Sequence, residues 1–538
     1  MKKIRIFFIL LCNLFFFTNC EDKSPIINSI NPRIGIMGEN ITISGANFGQ
    51  ERNESYITIA GTSPTGSSYI SWQDNEIIIR VPEFAEPGLI YVHREGKKSN
   101  PALFANRAFI PQAVQSVELS INPQIISIEP RSAAIGSLVT IQGRNFGPSR
   151  GTVNFAWDSE TLIPAEHRSS EVVDVFDAEF GYELWSDREI RIRIPDGAVS
   201  GNLWVRTTRG SSPPFFFEIT GRPGTKVYTD KRSYTISYAV DIQVEEAAIP
   251  NTLYLWIPLP VSSASQRNVE LLSRNIEPYI ENHRGTSLYQ LIDFQAGTSR
   301  RISLSYVVDV YTVETEIQPQ AIRQDRANPI HAIYTLPSIL IPSDDSTIIA
   351  QSTAIIGREQ NPYLRAALIY NWIINEIEIQ SNPLGGGVLE ALEEKLADSY
   401  SSSLLFTALA RAAGIPCIPV SGVLADRFPG VSSRHYWVEI WIDGFGWIPV
   451  DPALGAGIAP ADFIFGDDPA AWYFGNSDNQ RIAFSRGPII LAQMDPRGRV
   501  SGRTRDFALQ NLWEEAVGGL ESYSSLWSDV TITGIYAH

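Results

Sequence analysis

The chain has 538 residues, of which 44% are hydrophobic and 19% charged, and its formal net charge is −16. This composition is typical of globular protein, and the length indicates roughly three to five domains. The acidic excess argues against a nucleic-acid partner, since phosphate binding needs clustered Lys and Arg, and against electrostatic docking on anionic lipid.

The first twenty residues have the pattern of a secretion signal. Two lysines and an arginine precede an apolar run, residues 6–17, that is too short to span a bilayer. The run ends just before Cys20, in a sequence that resembles the lipobox of bacterial lipoproteins. We therefore predict that residues 1–19 are removed and that Cys20 is acylated. This would anchor the protein by lipid to a membrane of the bacterial cell envelope, facing the periplasm or the cell exterior. The alternative is an ordinary cleaved signal with an unrelated cysteine.

Two copies of one pattern follow the signal. Residues 45–49 (GANFG) recur as residues 143–147 (GRNFG), and each copy continues through a tryptophan to a proline and a closing strand. Short alternating strands with Gly and Pro turns predict β-sandwiches. The paired motif resembles the IPT/TIG family of immunoglobulin-like domains, over residues 24–106 and 122–220. We expect its glycines to serve turn geometry rather than binding.

Residues 222–318 contain three further strand-like runs and predict another β-rich domain. Residues 319–485 introduce helical patterns and are predicted to form the α+β core. The first clear one, residues 361–377, is predicted as an amphipathic helix whose apolar face contains Leu364, Leu368, Trp372 and Ile373. Residues 486–538 are less informative and are expected to add two strands.

The stretch from residue 395 to 455 combines a helix, a strand and a carboxylate. The helix is predicted to begin near Ser399 and to end at Gly414. The strand that follows places His435 and every second residue after it on one face. A three-residue turn after Ile442 would put Asp451 on the same face as His435, one diagonal step away and within side-chain reach.

These segments, LARAAGIP, HYWVEIWIDGFGW and PVDP, together resemble the transglutaminase-like superfamily, whose fold is papain-like. The β-rich residues 222–318 resemble the domain that often precedes such cores in bacteria. In the family a cysteine at the start of the core helix is the nucleophile, a histidine is the base, and an aspartate orients the histidine. The resemblance assigns these positions to Ser399, His435 and Asp451. The chain departs from the family at the first of them, where the nucleophile is a hydroxyl.

Each of these residues also has a structural interpretation. Ser399 could cap the helix, His435 could be a buried hydrogen-bonded histidine, and Asp451 could begin a turn with Pro452. Cys417 is predicted to be a buried, inert thiol. No motif for a metal site or a phosphate-binding loop is present, so neither a metal nor a cofactor is predicted.

The predicted fold is therefore multidomain: two immunoglobulin-like sandwiches, a β-rich domain and an α+β core. Two functions remain open. In the first, the core is a pseudo-enzyme that binds a protein, peptide or glycan ligand of the cell envelope without turnover. In the second, Ser399 attacks an amide or ester, with His435 as general base and Asp451 orienting it. The first is favoured, because loss of the thiol removes the chemistry of the family. By resemblance, the substrates of the second would be protein or cell-wall peptide amides.

Overall fold

The computed structural model describes residues 24–82, 85, 87–106, 122–158, 171–176, 180–425, 428–460, 463–466 and 468–537. The predicted signal peptide and Cys20 lie outside this part. In the described ranges no helix has both the length and the apolar character needed to cross a membrane. The described residues form two compact units, one within residues 24–106 and the other within residues 122–537.

The first unit is a β-sandwich. Its strands are β1 (Ile26–Asn31), β2 (Ile34–Gly35), β3 (Asn40–Ala46), β4 (Tyr56–Ile59), β5 (Tyr69–Trp72), β6 (Glu76–Arg80), β7 (Gly88–Arg94), β8 (Lys97–Lys98) and β9 (Ala102–Asn106). One sheet has the order β1-β3-β6-β5 and the other β2-β9-β7-β4, with β8 beside β7. The inward residues of both sheets, mostly isoleucines such as Ile41 and Ile77, form the core because side chains alternate between the two faces of a strand.

The second unit begins with a sandwich of related topology. Its strands are β10 (Gln124–Glu129), β11 (Ser132–Ala133), β12 (Leu138–Arg144), β13 (Thr152–Ala156), β14 (Val172–Asp174), β15 (Tyr182–Trp185), β16 (Glu189–Arg193), β17 (Gly201–Thr207), β18 (Gly210–Ser211) and β19 (Phe215–Ile219). The sheet β10-β12-β16-β15 repeats the order of the first sheet of the first unit, including the register shift between its first two strands.

The repeated pentapeptide forms the same turn in both sandwiches. Asn47 and Asn145 are left-handed, with φ of 63° and 65°. A Cβ on Gly45 or on Gly143 would lie 1.9 or 2.2 Å from a backbone oxygen of the neighbouring strand. Only glycine fits at such an approach. These glycines therefore have the structural role that the sequence predicts.

A long, bent antiparallel sheet follows. Its strands are β20 (Gly224–Pro258), β21 (Gln266–Arg274), β22 (Ile280–His283), β23 (Thr286–Ile292) and β24 (Ser299–Ile317). Most of β24 pairs with the first half of β20, and β23 pairs with its second half.

The core combines helices with a four-stranded sheet. In chain order its elements are α1 (Pro329–Tyr334), α2 (Ser346–Ile356), α3 (Pro362–Glu376), β25 (Glu378–Ile379), α4 (Val388–Glu394), β26 (Leu396–Ala397), α5 (Ser399–Ala412), β27 (Cys417–Leu424), β28 (Gly430–Val431), β29 (Ser433–Ile442), β30 (Gly446–Val450), α6 (Pro452–Gly455), α7 (Pro469–Trp472) and β31 (Arg481–Arg486). The sheet order is β30-β29-β27-β31. Helix α5 is buried along almost its whole length, against Tyr436, Val438 and Ile440 of β29. The fold class predicted from the sequence is thus confirmed.

The C-terminal residues complete the long sheet. They form β32 (Arg499–Ser501), β33 (Glu514–Trp527) and β34 (Thr531–Ala537). Both β33 and β34 pair with β20, and β34 also pairs with β28 of the core. The last strands of the chain therefore belong to the domain that precedes the core.

One lysine links three parts of the second unit. Lys226 Nζ on β20 lies 2.7 Å from Asp196 Oδ1 of the second sandwich and 2.7 Å from the Trp447 carbonyl oxygen of the core. Its side chain is only 7% exposed, so the ion pair is shielded from salt and solvent.

The predicted apolar face of α3 is correct only in part. Ile373 is buried and Trp372 packs against the core, but Leu364 and Leu368 are 37% and 40% exposed. Ala366, Ile369 and Tyr370 of the helix are also buried. The helix has apolar residues on more than one side, so its 3.6-residue period is compatible with two faces. Contacts with α5 and α6 select the one that contains the small Ala366 and the Tyr370 ring.

Candidate functional site

Helix α5 begins at Ser399, at the position that the sequence predicts, but another residue caps it. The cap is Asp398, whose Oδ1 accepts from the Ser401 backbone N–H at 2.8 Å and from the Ser401 hydroxyl at 2.7 Å. Ser401 Oγ in turn lies 3.0 Å from the Asp398 N–H, which completes a capping box. The capping role considered for Ser399 is therefore wrong, and its hydroxyl is left for other contacts.

The second oxygen of Asp398 holds two other segments. Oδ2 accepts from the Leu384 N–H at 2.9 Å and from Arg505, which comes from the loop between β32 and β33. Asp398 is 4% exposed. A buried carboxylate thus lies next to Ser399, and its charge is compensated by one arginine.

His435 and Asp451 are brought together by the sheet. Val438 on β29 pairs with Val450 on β30, and Ile442 with Gly446 across the predicted turn. This register puts Asp451 diagonally beside His435 on the same face. His435 Nε2 lies 2.7 Å from Asp451 Oδ2, and both residues are almost fully buried. With Nε2–H donating to the carboxylate, the lone pair of a neutral imidazole is on Nδ1.

Asp451 serves a structural purpose as well. Its Oδ1 accepts from the Leu454 N–H at 3.0 Å and caps α6. Its Oδ2, already bonded to His435, also accepts from Arg481 Nη1 at 3.0 Å. Arg481 Nη2 in turn lies 2.5 Å from Asp478 Oδ2. The predicted pair of His435 and Asp451 is thus part of a buried network of four charged or titratable groups.

This network keeps Asp451 ionised. Burial acts to raise the pKa of Asp451, but His435, Arg481 and the Leu454 N–H outweigh it, and the pKa is lowered from its ordinary value. Burial likewise acts to lower the pKa of Arg481, but Asp478 and Asp451 raise it. Asp451 can therefore orient the imidazole and stabilise its protonated form without accepting the proton.

Helix α5, which begins at Ser399, packs against the strand that carries His435. The Tyr400 and Tyr436 rings are 5.0 Å apart, and Ser403 Oγ donates to the Tyr436 carbonyl at 2.9 Å. These contacts place the first turn of α5 beside the start of β29. Within the described part of the chain, however, no hydrogen bond joins Ser399 Oγ to His435. The geometry supplies an oriented histidine and a helix N-terminus, but no activated hydroxyl.

A small cavity lies beyond Trp437, on the face of the sheet that holds His435. Its volume is about 50 Å³, and its walls include Trp437, Trp447, Arg481 and Arg486. Arg481 Nε and Trp447 Nε1 are buried donors without a hydrogen-bond partner in the described chain. A water needs about 10–15 Å³ of such space, so the cavity has room for a few waters and is too small for a peptide.

Metal and thiol chemistry have little support in the described residues. Among them, no group of three or more His, Cys, Asp or Glu is arranged to hold a metal ion. Cys417 is fully buried at the start of β27, and burial raises the pKa of its thiol to about 12. A thiol with that pKa is protonated at neutral pH and unreactive.

Sequence reasoning missed three charged residues of the site. Arg481 opens β31, Asp478 precedes it by three residues, and Arg505 lies far along the chain from α5. Their spacing from Ser399, His435 and Asp451 follows no motif. The pairing of β31 with β27 brings Arg481 to the site, and the loop between β32 and β33 brings Arg505 to the start of α5.

Comparison with known proteins identifies two of the domains. Residues 349–452 match the transglutaminase-like superfamily, and residues 25–105 match the IPT/TIG domain. An uncharacterized protein of Haemophilus influenzae is 23% identical over 301 residues, which cover 48% of this chain and 80% of that protein. A cyclomaltodextrin glucanotransferase of Paenibacillus macerans is 31% identical over 101 residues, only 14% of its length. Among solved structures, a candidate cysteine protease from Cytophaga hutchinsonii is 17% identical and has a TM-score of 0.39, covering 58% of this chain and 93% of that one.

Proposed function

We propose that this chain, which carries a transglutaminase-like domain and an IPT/TIG domain, is a lipid-anchored protein of the bacterial cell envelope whose core binds a ligand without turnover. The observation that carries the proposal is the contrast at the site. The orienting pair of His435 and Asp451 is intact, whereas the nucleophile position holds Ser399, whose hydroxyl makes no hydrogen bond to the histidine among the described residues.

Two features of the site support binding over catalysis. A serine hydroxyl is far less acidic than a thiol, so it needs its proton removed during attack. Within the described residues, moreover, the Ser399 hydroxyl makes no hydrogen bond to His435, the base that would have to take that proton. The proposed ligand is a peptide, a glycan or another protein of the envelope.

An active serine hydrolase or acyltransferase is the second candidate. The observation that favours it is the 2.7 Å bond from His435 Nε2 to Asp451, which leaves Nδ1 as the basic nitrogen. Ser399 would attack a protein or cell-wall peptide amide, His435 would take the hydroxyl proton, and Asp451 would hold the imidazolium.

A serine-directed fluorophosphonate separates the two candidates. We expect no labelling of the wild-type protein at Ser399, because the hydroxyl lacks a bonded base. The measurement is mass spectrometry of the peptide that contains Ser399 after incubation with the probe. The His435→Ala variant is the control. Labelling of Ser399 in the wild type that disappears in this variant would establish the hydrolase and contradict the proposal.

The anchor is tested separately. We expect the mature protein purified from its host to begin at Cys20 with acyl chains attached, since the charged start and the short apolar run lead directly to that residue. Each buried CH₂ of an acyl chain contributes about 0.8 kcal/mol, so several chains hold the protein on a membrane. Mass spectrometry of the N-terminal peptide gives the result. An unmodified Cys20, or a Cys20→Ala protein that stays in the membrane fraction, would refute the anchor.

A further inference from the structure

Arg505 reaches the start of α5 from the far end of the chain. Its Nη1 donates to Asp398 Oδ2, and its Nη2 donates to the carbonyl oxygens of Gly386 at 2.8 Å and Gly385 at 3.2 Å. The guanidinium carbon also lies 4.4 Å from the centre of the Tyr400 ring. One side chain thus joins the glycine segment to the turn of α5 that carries Ser399.

The loop that carries Arg505 is fixed to the sheet. The Asp506 carbonyl accepts from the Tyr436 hydroxyl at 2.7 Å and from Ser421 Oγ at 3.1 Å. Its carboxylate accepts from Arg503 Nε at 2.7 Å. Arg505 itself is left-handed, with φ of 58°. This conformation is unfavourable for a residue with a Cβ, and it persists where surrounding contacts require it.

The charge balance at Ser399 depends on this contact. In the described part of the chain Arg505 is the one cation paired with Asp398. The Asp398 side chain is 6% exposed, so water screens its charge poorly. Without Arg505, an uncompensated anion would lie beside the Ser399 side chain and would oppose negative charge there.

We propose that Arg505 is a positioning residue of the Ser399 site, which neutralises Asp398 and holds residues 385 and 386 against the first turn of α5. It sets both the charge beside Ser399 and the position of the glycine segment. The inference rests on the proposed function, because it takes this site as the place where the ligand binds.

A thiol introduced by Ser399→Cys probes the charge at this position, because nearby charges shift its pKa. The full-length protein is alkylated with iodoacetamide between pH 5 and 9, and the midpoint of the rate profile gives the pKa of the thiol. Adding Arg505→Met should raise that midpoint by about one unit. The rate at pH values below the midpoint should then fall about threefold, because the smaller thiolate fraction is partly offset by a more nucleophilic thiolate. Adding Arg497→Met instead removes a cation whose side chain is 86% exposed and pairs with Asp495, so the midpoint should not move.

Hydrogen exchange of the Leu384 amide reports on how firmly the glycine segment is held. This N–H donates to Asp398 Oδ2 at 2.9 Å, so it should exchange faster in Arg505→Met and not in Arg497→Met. An unchanged midpoint, or a midpoint that moves equally in both variants, would overturn the assignment of Arg505. If the thiol of Ser399→Cys titrates like an ordinary cysteine while Arg505 is present, the proposed site at Ser399 is wrong. If its midpoint is lowered but does not depend on Arg505, only the role of Arg505 is wrong.

Discussion

Ser399→Cys is expected to create a thiol that iodoacetamide alkylates about tenfold faster at pH 6 than an ordinary exposed cysteine. The helix N-terminus and the neighbouring imidazole would lower the pKa of the thiol from about 8.5 to between about 6 and 7. The thiolate fraction at pH 6 would then rise by a factor of the order of 100. The intrinsic nucleophilicity of a thiolate falls with its pKa, and this reduces the gain to about tenfold.

The chain offers controls for this measurement. Ser524 is exposed on β33, so Ser524→Cys gives the reactivity of an ordinary thiol in the same protein. Cys417 is buried and should remain unlabelled in every variant. Adding His435→Ala to Ser399→Cys should remove most of the gain. Equal rates for the thiols introduced at positions 399 and 524 would show that the helix terminus and His435 do not act together, and both candidate functions would then lose their site.

Arg481→Met is expected to destabilise the protein by about 3–5 kcal/mol at pH 7, the usual cost of removing one partner from a buried ion pair. Arg481 is 4% exposed and compensates Asp451 and Asp478 at once. Methionine fills a similar volume but leaves two buried carboxylates without a cation. For a domain of about 150–250 residues, this loss corresponds to a fall in melting temperature of roughly 10 °C.

The pH dependence of this effect has a definite sign. The pKa of Asp451 is lowered in the folded protein, so its contribution to stability is fully present above the unfolded value of about 3.9 and is lost as the pH falls through the folded pKa. Without Arg481 one cause of the lowering is gone, although His435, the larger one, remains. The difference between variant and wild type should therefore shrink as the pH falls below about 4, through the folded pKa of Asp451.

Calorimetry of the full-length protein at pH 7 and about pH 3.5 measures both effects. Arg497→Met is the matched control, because Arg497 pairs with Asp495 while its own side chain is 86% exposed. Its melting temperature should not change measurably. If Arg481→Met and the wild type have the same melting temperature at pH 7, the buried network does not stabilise the core.

These two variants probe different roles of the same cluster. Ser399→Cys asks whether the helix terminus and His435 still create the electrostatic environment of a nucleophile. Arg481→Met measures how much the buried ion pairs of Asp451 contribute to the stability of the fold. A reactive thiol together with a large destabilisation would describe a site whose framework is retained for stability, while its chemistry depends on the single atom at position 399.

The amino-acid sequence by itself determined the architecture and the pairing of His435 with Asp451. Strand alternation is local, and the turn after Ile442 fixes the register, so adjacent positions on one sheet face follow from a few consecutive residues. The repeated GxNFG motif likewise required glycine and a left-handed asparagine for reasons that lie within the turn and its neighbouring strand. The start of α5 at Ser399 followed from its apolar run and the glycine at its end.

Tertiary structure alone decided which side chains surround Ser399 and Asp451. The capping box of Asp398 at the start of α5 is local, but the contacts of its second oxygen with Leu384 and Arg505 are not. Two apolar faces were available on α3, and packing against α5 and α6 selected the one with Ala366 and Tyr370. Arg481 and Arg505 reached the site through strand pairing and a returning loop. Their charges act through space over a few ångströms, whereas their separation along the chain carries no periodic signal, so no local pattern could place them there.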